Sequence, residues 1–261
     1  MHKVISPAIL YFGAPVVLLS TLNEDGSANL APMSSAWWLR DRCMLGLDPT
    51  SKSTGNLVRT GECVLNLPAA GLVAQVDRLA LLTGSDPLPP HKAARGYRHE
   101  RDKFAAAGLT PIPSERVRPP RVLECAVHLE ALLEGQWPMG DPADEGRGMP
   151  LALGVRIVRV HVEAGLVADG HPNRVDPERW RPLMMSFQQF YGLGPRLHPS
   201  RLGTIPEELY RRGAPVPGAL TPGPTAAPSS RGGEASSQAA DIRGASAKTT
   251  TSHRFHGFNG Y

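Results

Sequence analysis

Two short stretches of the sequence bring together residue types that bind a flat ring and an anion. In Asn29-Leu30-Ala31-Pro32-Met33-Ser34-Ser35-Ala36-Trp37-Trp38, a proline stands among residues that otherwise suit a strand. Proline lacks an amide N–H, so it interrupts a sheet ladder and belongs on an edge or at a bulge. Such a break frees backbone N–H groups around Met33, Ser34, Ser35 and Ala36 to face a ligand. Two serine hydroxyls add donors and acceptors, and two tryptophans add flat apolar surface. Together they can hold a planar heteroaromatic ring by its edge; the same residues also suit a bulge with core tryptophans. The second stretch, Asp48-Pro49-Thr50-Ser51-Lys52-Ser53-Thr54-Gly55-Asn56, crowds four hydroxyls, a lysine and a glycine onto a strand-to-helix junction. Free N–H groups at a helix start, short hydroxyls and an ammonium make a phosphate-sized anion site. An over-capped surface helix reads the same way, and the spacing of a P-loop is absent.

Other chemistry finds little support. His99, His128, His161, His171 and His198 are scattered without H-x-x-x-H or H-E-x-x-H spacing, so no metal centre is expected. His128 and His161 fall in expected strands and read as satisfied core or rim residues. Cys43, Cys63 and Cys125 form no C-x-x-C pair, which fits a reducing cytosol rather than a disulfide framework. No nucleophile elbow or Ser-His-Asp signature is present, and no catalytic residue is assigned.

The elements that must position these stretches are mostly strands. Val16 to Leu22 and Ser27 to Ala31 flank Asn23-Glu24-Asp25-Gly26, a strong hairpin signal because glycine supplies the positive φ such a turn needs. Trp37 to Leu39 returns through Arg40-Asp41-Arg42 into Cys43 to Leu47. Ser51 to Val58 reads as a short helix with hydroxyls where an N-cap belongs. Glu62 to Leu67 is another strand. Val73, Val76, Leu79 and Ala80 share one face of a helix between Leu72 and Thr83, closed by Gly84. Lys92 to Ala107 is expected as a further helix, with Arg101 and Lys103 on its polar side. Arg121 to Glu134 and Leu151 to Val162 are long strands separated by a polar Gly/Pro loop. At least six mostly antiparallel strands with interspersed helices suit a closed barrel better than a parallel sheet.

Composition sets the remaining bounds. The 27 Gly and 26 Pro among 261 residues favour turns and short elements over a helical bundle. The net charge is +4, but Arg231, Arg243, Lys248 and Arg254 against Glu234 and Asp241 account for half of it. The remainder has no electrostatic footprint for nucleic acid. No run reaches the roughly 18 apolar residues of a membrane span. The apolar N-terminus is interrupted by Pro7, Gly13 and Pro15 and lacks a cleavage site, so a cytoplasmic location is expected. Of the 37 residues from Val216 to Ser252, 28 are Gly, Pro, Ala, Ser or Thr. Such a segment cannot bury enough surface to fold, so residues 1–215 are expected as a domain and 216–261 as a disordered tail.

The order of ring edge, strand, anion-binding helix start and strand resembles the flavin reductase family. The resemblance is carried by the Asp-Gly hairpin, by Asn29 to Ser35, by Ser51-Lys52-Ser53-Thr54 and by Glu62-Cys63-Val64-Leu65-Asn66-Leu67-Pro68. It extends to Leu166-Val167-Ala168-Asp169-Gly170 and Arg181-Pro182-Leu183, covering roughly residues 8 to 210. It implies a mainly β, six-stranded antiparallel FMN-binding split barrel with peripheral helices. It implies ring contacts from Met33, Ser34, Ser35 and Ala36, and phosphate contacts from Ser51, Lys52, Ser53 and Thr54, with Asn56 beside them. Tyr191 is a further candidate for flavin contact. The implied function is an oxidoreductase in which NADH or NADPH reduces bound FMN (FAD fits less well), which then passes electrons to a flavin, oxygen or a partner monooxygenase. Homodimers are the usual assembly. The segment Met184 to Gly192 departs from the Gly-rich stretch common in such reductases, which motivates the alternative of a non-catalytic FMN carrier or sensor.

Overall fold

The computed structural model describes residues 1–140 and 149–210; the expected tail from 216 onward and most of the Gly/Pro loop lie outside them. A seven-stranded antiparallel sheet carries the fold. Its strands are β1 (Val17–Leu22), β2 (Ala28–Met33), β3 (Ala36–Leu39), β4 (Arg42–Leu47), β5 (Glu62–Leu67), β6 (Val127–Pro138) and β7 (Leu151–Val162). Their order across the sheet is β2-β1-β5-β6-β7-β4-β3, one strand more than the six expected. The edge strands β2 and β3 are consecutive in the chain, joined only by Ser34 and Ser35. Two linking residues keep Met33 and Ala36 at most about 11 Å apart, so the sheet must roll until its two edges meet. No ladder joins them, which leaves the barrel split along that seam.

Side-chain alternation fills the rolled sheet. Val17, Leu19, Leu45, Cys63, Leu65, Ala131, Leu153 and Val155 point inward and are buried together with Leu57. Leu18 and Leu30 point the other way, against Val76, Leu79, Phe104 and Ala107. Strand β1 is therefore buried on both faces, the reason it reads as an unbroken apolar run instead of an alternating one. The outer layer contains α2 (Val73–Leu79), α3 (Pro90–Ala93) and α4 (Lys103–Ala107). The helix that follows β4, α1 (Lys52–Thr60), starts at an Ser51 N-cap and ends at Gly61, whose φ of 71° and N–H bond to Leu57 O form a left-handed cap.

Two expected helices come out differently. The stretch from Lys92 to Ala107 is broken at Gly96, which has a φ of 80°. The chain then extends through Arg98–His99, which pairs in parallel with Leu82–Thr83, before Asp102 caps α4. That same pairing stops α2 at Leu79, and Gly84 packs against Asn29 rather than capping the helix. The strand expected from Arg121 splits into Arg121–Val122 and β6.

The strand histidines are structural, as expected. Asn66 of β5 donates to Leu18 O at 3.0 Å and accepts the Val122 N–H at 2.9 Å, with His128 Nδ1 also 2.9 Å away. Burial, reinforced by Arg121, pushes the His128 imidazole down to about 4, so it is neutral at physiological pH. His161 Nε2 lies 2.7 Å from fully buried Glu130, which also accepts the Glu115, Arg116 and Val117 N–H groups.

Leu57 ties α1 to the barrel interior and is fully buried. Leu57→Ala should cost about 3 kcal/mol, as for other large-to-small changes in tight cores, read as a lower urea midpoint.

Candidate functional site

The ring-edge stretch lies on the seam of the barrel. Pro32 pairs with Leu18 on the edge strand β2, and the ladder runs on to Met33 opposite Val17. The proline is thus tolerated by the edge, as expected, while the break comes two residues later. Among the described residues the Ser34 and Ser35 N–H groups have no partner. Ser35 O accepts the Gly46 N–H of β4 at 2.8 Å. A Cβ on Gly46 would stand 3.1 Å from Ser35 Cβ, so the missing side chain lets the turn lie flat on β4. Ala36 and Trp38 face inward, whereas Trp37 is 57% exposed. The aromatic hydroxyl that meets this turn belongs to Tyr11, 3.0 Å from Ser35 Oγ. Tyr191 lies on a small separate sheet, opposite Met184, and among the described residues no hydrogen bond joins it to either stretch.

From Gly46 the chain reaches the Ser51 cap in five residues, a path of at most about 18 Å. Asp48 Oδ1 accepts the Thr50 N–H at 2.8 Å and hydroxyl at 2.7 Å, and Thr54 Oγ1 donates to Asp48 O at 2.7 Å. Burial alone would raise the Asp48 carboxyl; the Thr50 bonds and the nearby Lys92 charge hold it below its ordinary value. Ser51 Oγ accepts the Thr54 N–H. The remaining candidates face inward or sideways. Ser53 Oγ accepts from Asn29 Nδ2 at 2.9 Å, Asn56 Nδ2 donates to Thr21 Oγ1 and Asn23 Oδ1, and Lys52 Nζ sits 2.6 Å from Glu24.

The strongest feature of the site was not expected. Lys103 is only 3% exposed and Lys92 only 9%. Lys103 Nζ donates to Asn29 Oδ1 at 3.1 Å, and Asn29 also holds Ser53. Among the described residues neither lysine has a carboxylate within ion-pair distance. Burial pushes the Lys103 ammonium down to about 8, with the Lys92 charge adding to it. Lys92 is also lowered, chiefly by burial, while Asp48 opposes the shift. Two buried cations that repel each other are costly unless an anion joins them. They flank the start of α1, where the hydroxyls are already engaged and, among the described residues, the Lys52 and Ser53 N–H groups are left to meet a phosphate. A phosphate monoester therefore fits this cradle. The sequence signal was the spacing of Lys103 and Ala107, four residues apart beside Phe104, which puts the lysine on the apolar face of α4.

Gly84 completes the cradle. A Cβ there would lie 2.6 Å from Asn29 Oδ1 and 3.2 Å from Lys52 Cγ. Gly84→Ala should displace Asn29 and weaken inorganic phosphate binding by about tenfold, the loss of roughly one charge-assisted hydrogen bond, measured by calorimetry.

Lys103 also makes a linkage prediction. Between pH 8 and 10.5 the unfolded chain holds a proton on Lys103 that the ligand-free fold has lost, so stability rises with pH there. At neutral pH the fold carries the cost of the buried charge, on the order of 3 kcal/mol. Lys103→Met should raise the melting temperature of the ligand-free protein at pH 7 and abolish that pH-dependent gain, while losing phosphate binding.

Comparison with known proteins bears directly on this geometry. The sequence pattern of the Flavin reductase like domain matches residues 9–194. The uncharacterized protein YdfE of Bacillus subtilis (strain 168) is 36% identical over 192 residues, covering 74% of this chain and 89% of that protein. Flavoredoxin of Desulfovibrio vulgaris (Miyazaki F) superposes with a TM-score of 0.63 at 20% identity, over 77% of this chain and 98% of its own. Nitrilotriacetate monooxygenase component B from Bacillus cereus superposes with a TM-score of 0.57 at 23% identity, over 73% and 88%. The rolled sheet is the fold of flavin reductase split barrels, and the chain belongs to the flavin reductase-like family.

Proposed function

We propose that the protein binds FMN, with the isoalloxazine edge against Met33, Ser34, Ser35 and Ala36 and the phosphate at Ser51–Thr54, Lys92 and Lys103. The observation that carries this reading is the pair of buried lysines at the start of α1, together with a turn whose N–H groups have no partner. One phosphate cradle of this size favours FMN over FAD. Bound flavin supplies two-electron redox chemistry, and the protein supplies position and charge. Ser34 and Ser35 N–H groups stand where they can hydrogen-bond the polar edge of the ring and favour negative charge there. Gly46 keeps that turn flat, and Tyr11 fixes the Ser35 hydroxyl. Asn29 links the strand that carries the turn to the lysine that meets the phosphate, so both ends of the ligand are held by one strand.

The electron donor in this reading is NADH or NADPH, and the acceptor is a second flavin, oxygen or a monooxygenase component. The name of the nitrilotriacetate monooxygenase neighbour supports the last of these. Exposed Trp37 on β3 and Trp137 on β6, at 57% and 50%, support a homodimer; the described helices are none of them long and apolar enough to cross a membrane. The Met184–Gly192 hairpin turns through Phe187 and Gln188 at φ 46° and 62°, where glycine would be at ease. This glycine-free turn favours a second reading, an FMN carrier that does not turn over.

Purified protein mixed with FMN should gain a saturable flavin spectrum, and rapid mixing with NADH or NADPH without oxygen should bleach it within the normal range of enzyme turnover, about 1–1000 per second. Inert bound flavin would select the carrier, and no flavin binding would refute both.

A further inference from the structure

Away from the anion cradle, a cavity of about 740 Å³ lies between the β3–β4 hairpin and β7. Trp38, Arg40, Leu129, Ile157, Val160 and Asn173 are among its walls. A smaller apolar cavity of about 480 Å³ shares Trp38 and Leu129 and is closed by Trp180, Met184 and Leu193. These volumes fall in the range of small-molecule sites.

Three observations converge on the hairpin. Arg40 opens its two-residue turn with a φ of 56°, a left-handed conformation that glycine or asparagine ordinarily takes. Strained residues of this kind cluster at ligand clamps. Among the described residues the Arg40 guanidinium has no ion pair or hydrogen bond, whereas its neighbours are engaged. Arg42 pairs with Asp41 and Glu134, and Arg159 with Glu115. Among the described residues the cavity thus holds one uncommitted cation. Finally, the Trp38 indole N–H is buried without a partner, which leaves its side chain better satisfied in the presence of an acceptor.

We propose that this cleft binds a small planar apolar molecule bearing one carboxylate, its face on Trp38 and its anionic group on Arg40. Apolar walls and a guanidinium that is unpartnered among the described residues match that chemistry, the Asp41 carboxylate beside it being engaged by Arg42. The site goes beyond the flavin reading and stands without it, although Trp38 follows Ser35 by three strand residues, about 10 Å, close enough for a reactant beside the ring.

Naphthoate and its uncharged amide, naphthamide, are suitable probes, titrated against tryptophan fluorescence with FMN present at saturation. Naphthoate should bind saturably and more tightly than naphthamide. Arg40→Ala should weaken naphthoate by about tenfold and leave naphthamide within about twofold, and Arg40→Lys should recover most of the loss. Trp38→Phe, which keeps a ring and removes the N–H, should weaken both probes. FMN affinity in Arg40→Ala should match the parent protein, so failure of the flavin reading would be seen separately. Absence of saturable binding, equal loss of both probes in Arg40→Ala, displacement of FMN by naphthoate, or dissociation of a dimer on adding naphthoate would each overturn the proposal; the last would mean that a second copy covers the cleft.

Discussion

The two edges of a seven-stranded sheet are tied together by two residues. Everything at the site follows from that short link. Because Ser34 and Ser35 must span the seam, the sheet rolls, and the link donates no N–H to either ladder. Its N–H groups are left unpaired at the rim. Strand β2, which enters the link, also carries Asn29, and Asn29 reaches both α1 and Lys103. One edge strand therefore connects a turn with free donors to a buried cation.

The energetics of that arrangement are those of a binding site rather than a stable core. A buried lysine held by a single amide oxygen weakens the ligand-free fold, and Lys92 beside it adds repulsion. Proteins retain such groups where a ligand restores the balance. By contrast, the Glu130 and Asn66 clusters are closed on themselves. Glu130 is satisfied by three backbone donors and His161, and Asn66 by Leu18, Val122 and His128. The difference between satisfied and waiting polar groups separates scaffold from site.

Much of this was legible in the sequence because local chemistry decided it. The Asp-Gly hairpin, the Ser51 cap and the edge proline each have one good structural solution, and the fold uses it. What was lost is what long-range pairing decides. Gly96 and the parallel bridge between Leu82–Thr83 and Arg98–His99 break an otherwise plausible helix. Lys103 consequently sits on a helix of five residues pressed against the barrel, not on a solvated face. Ser53, Thr54 and Asn56, unlike Ser51, turn toward the barrel because the helical period carries them there. Tyr191 and Tyr11 are both plausible neighbours of the ring edge, and only the tertiary path of the first dozen residues brings Tyr11 to Ser35.

The central claim is that one molecule spans the unpaired turn and the buried lysines. Affinities for FMN and for riboflavin, which lacks the phosphate, measured by calorimetry in the parent protein and in Lys103→Met, test it most directly. The account predicts that the parent prefers FMN by about a hundredfold or more, two charge-assisted contacts' worth, and that the preference collapses toward unity in the variant with riboflavin binding intact. An FMN-to-riboflavin ratio that is the same in both proteins would contradict it.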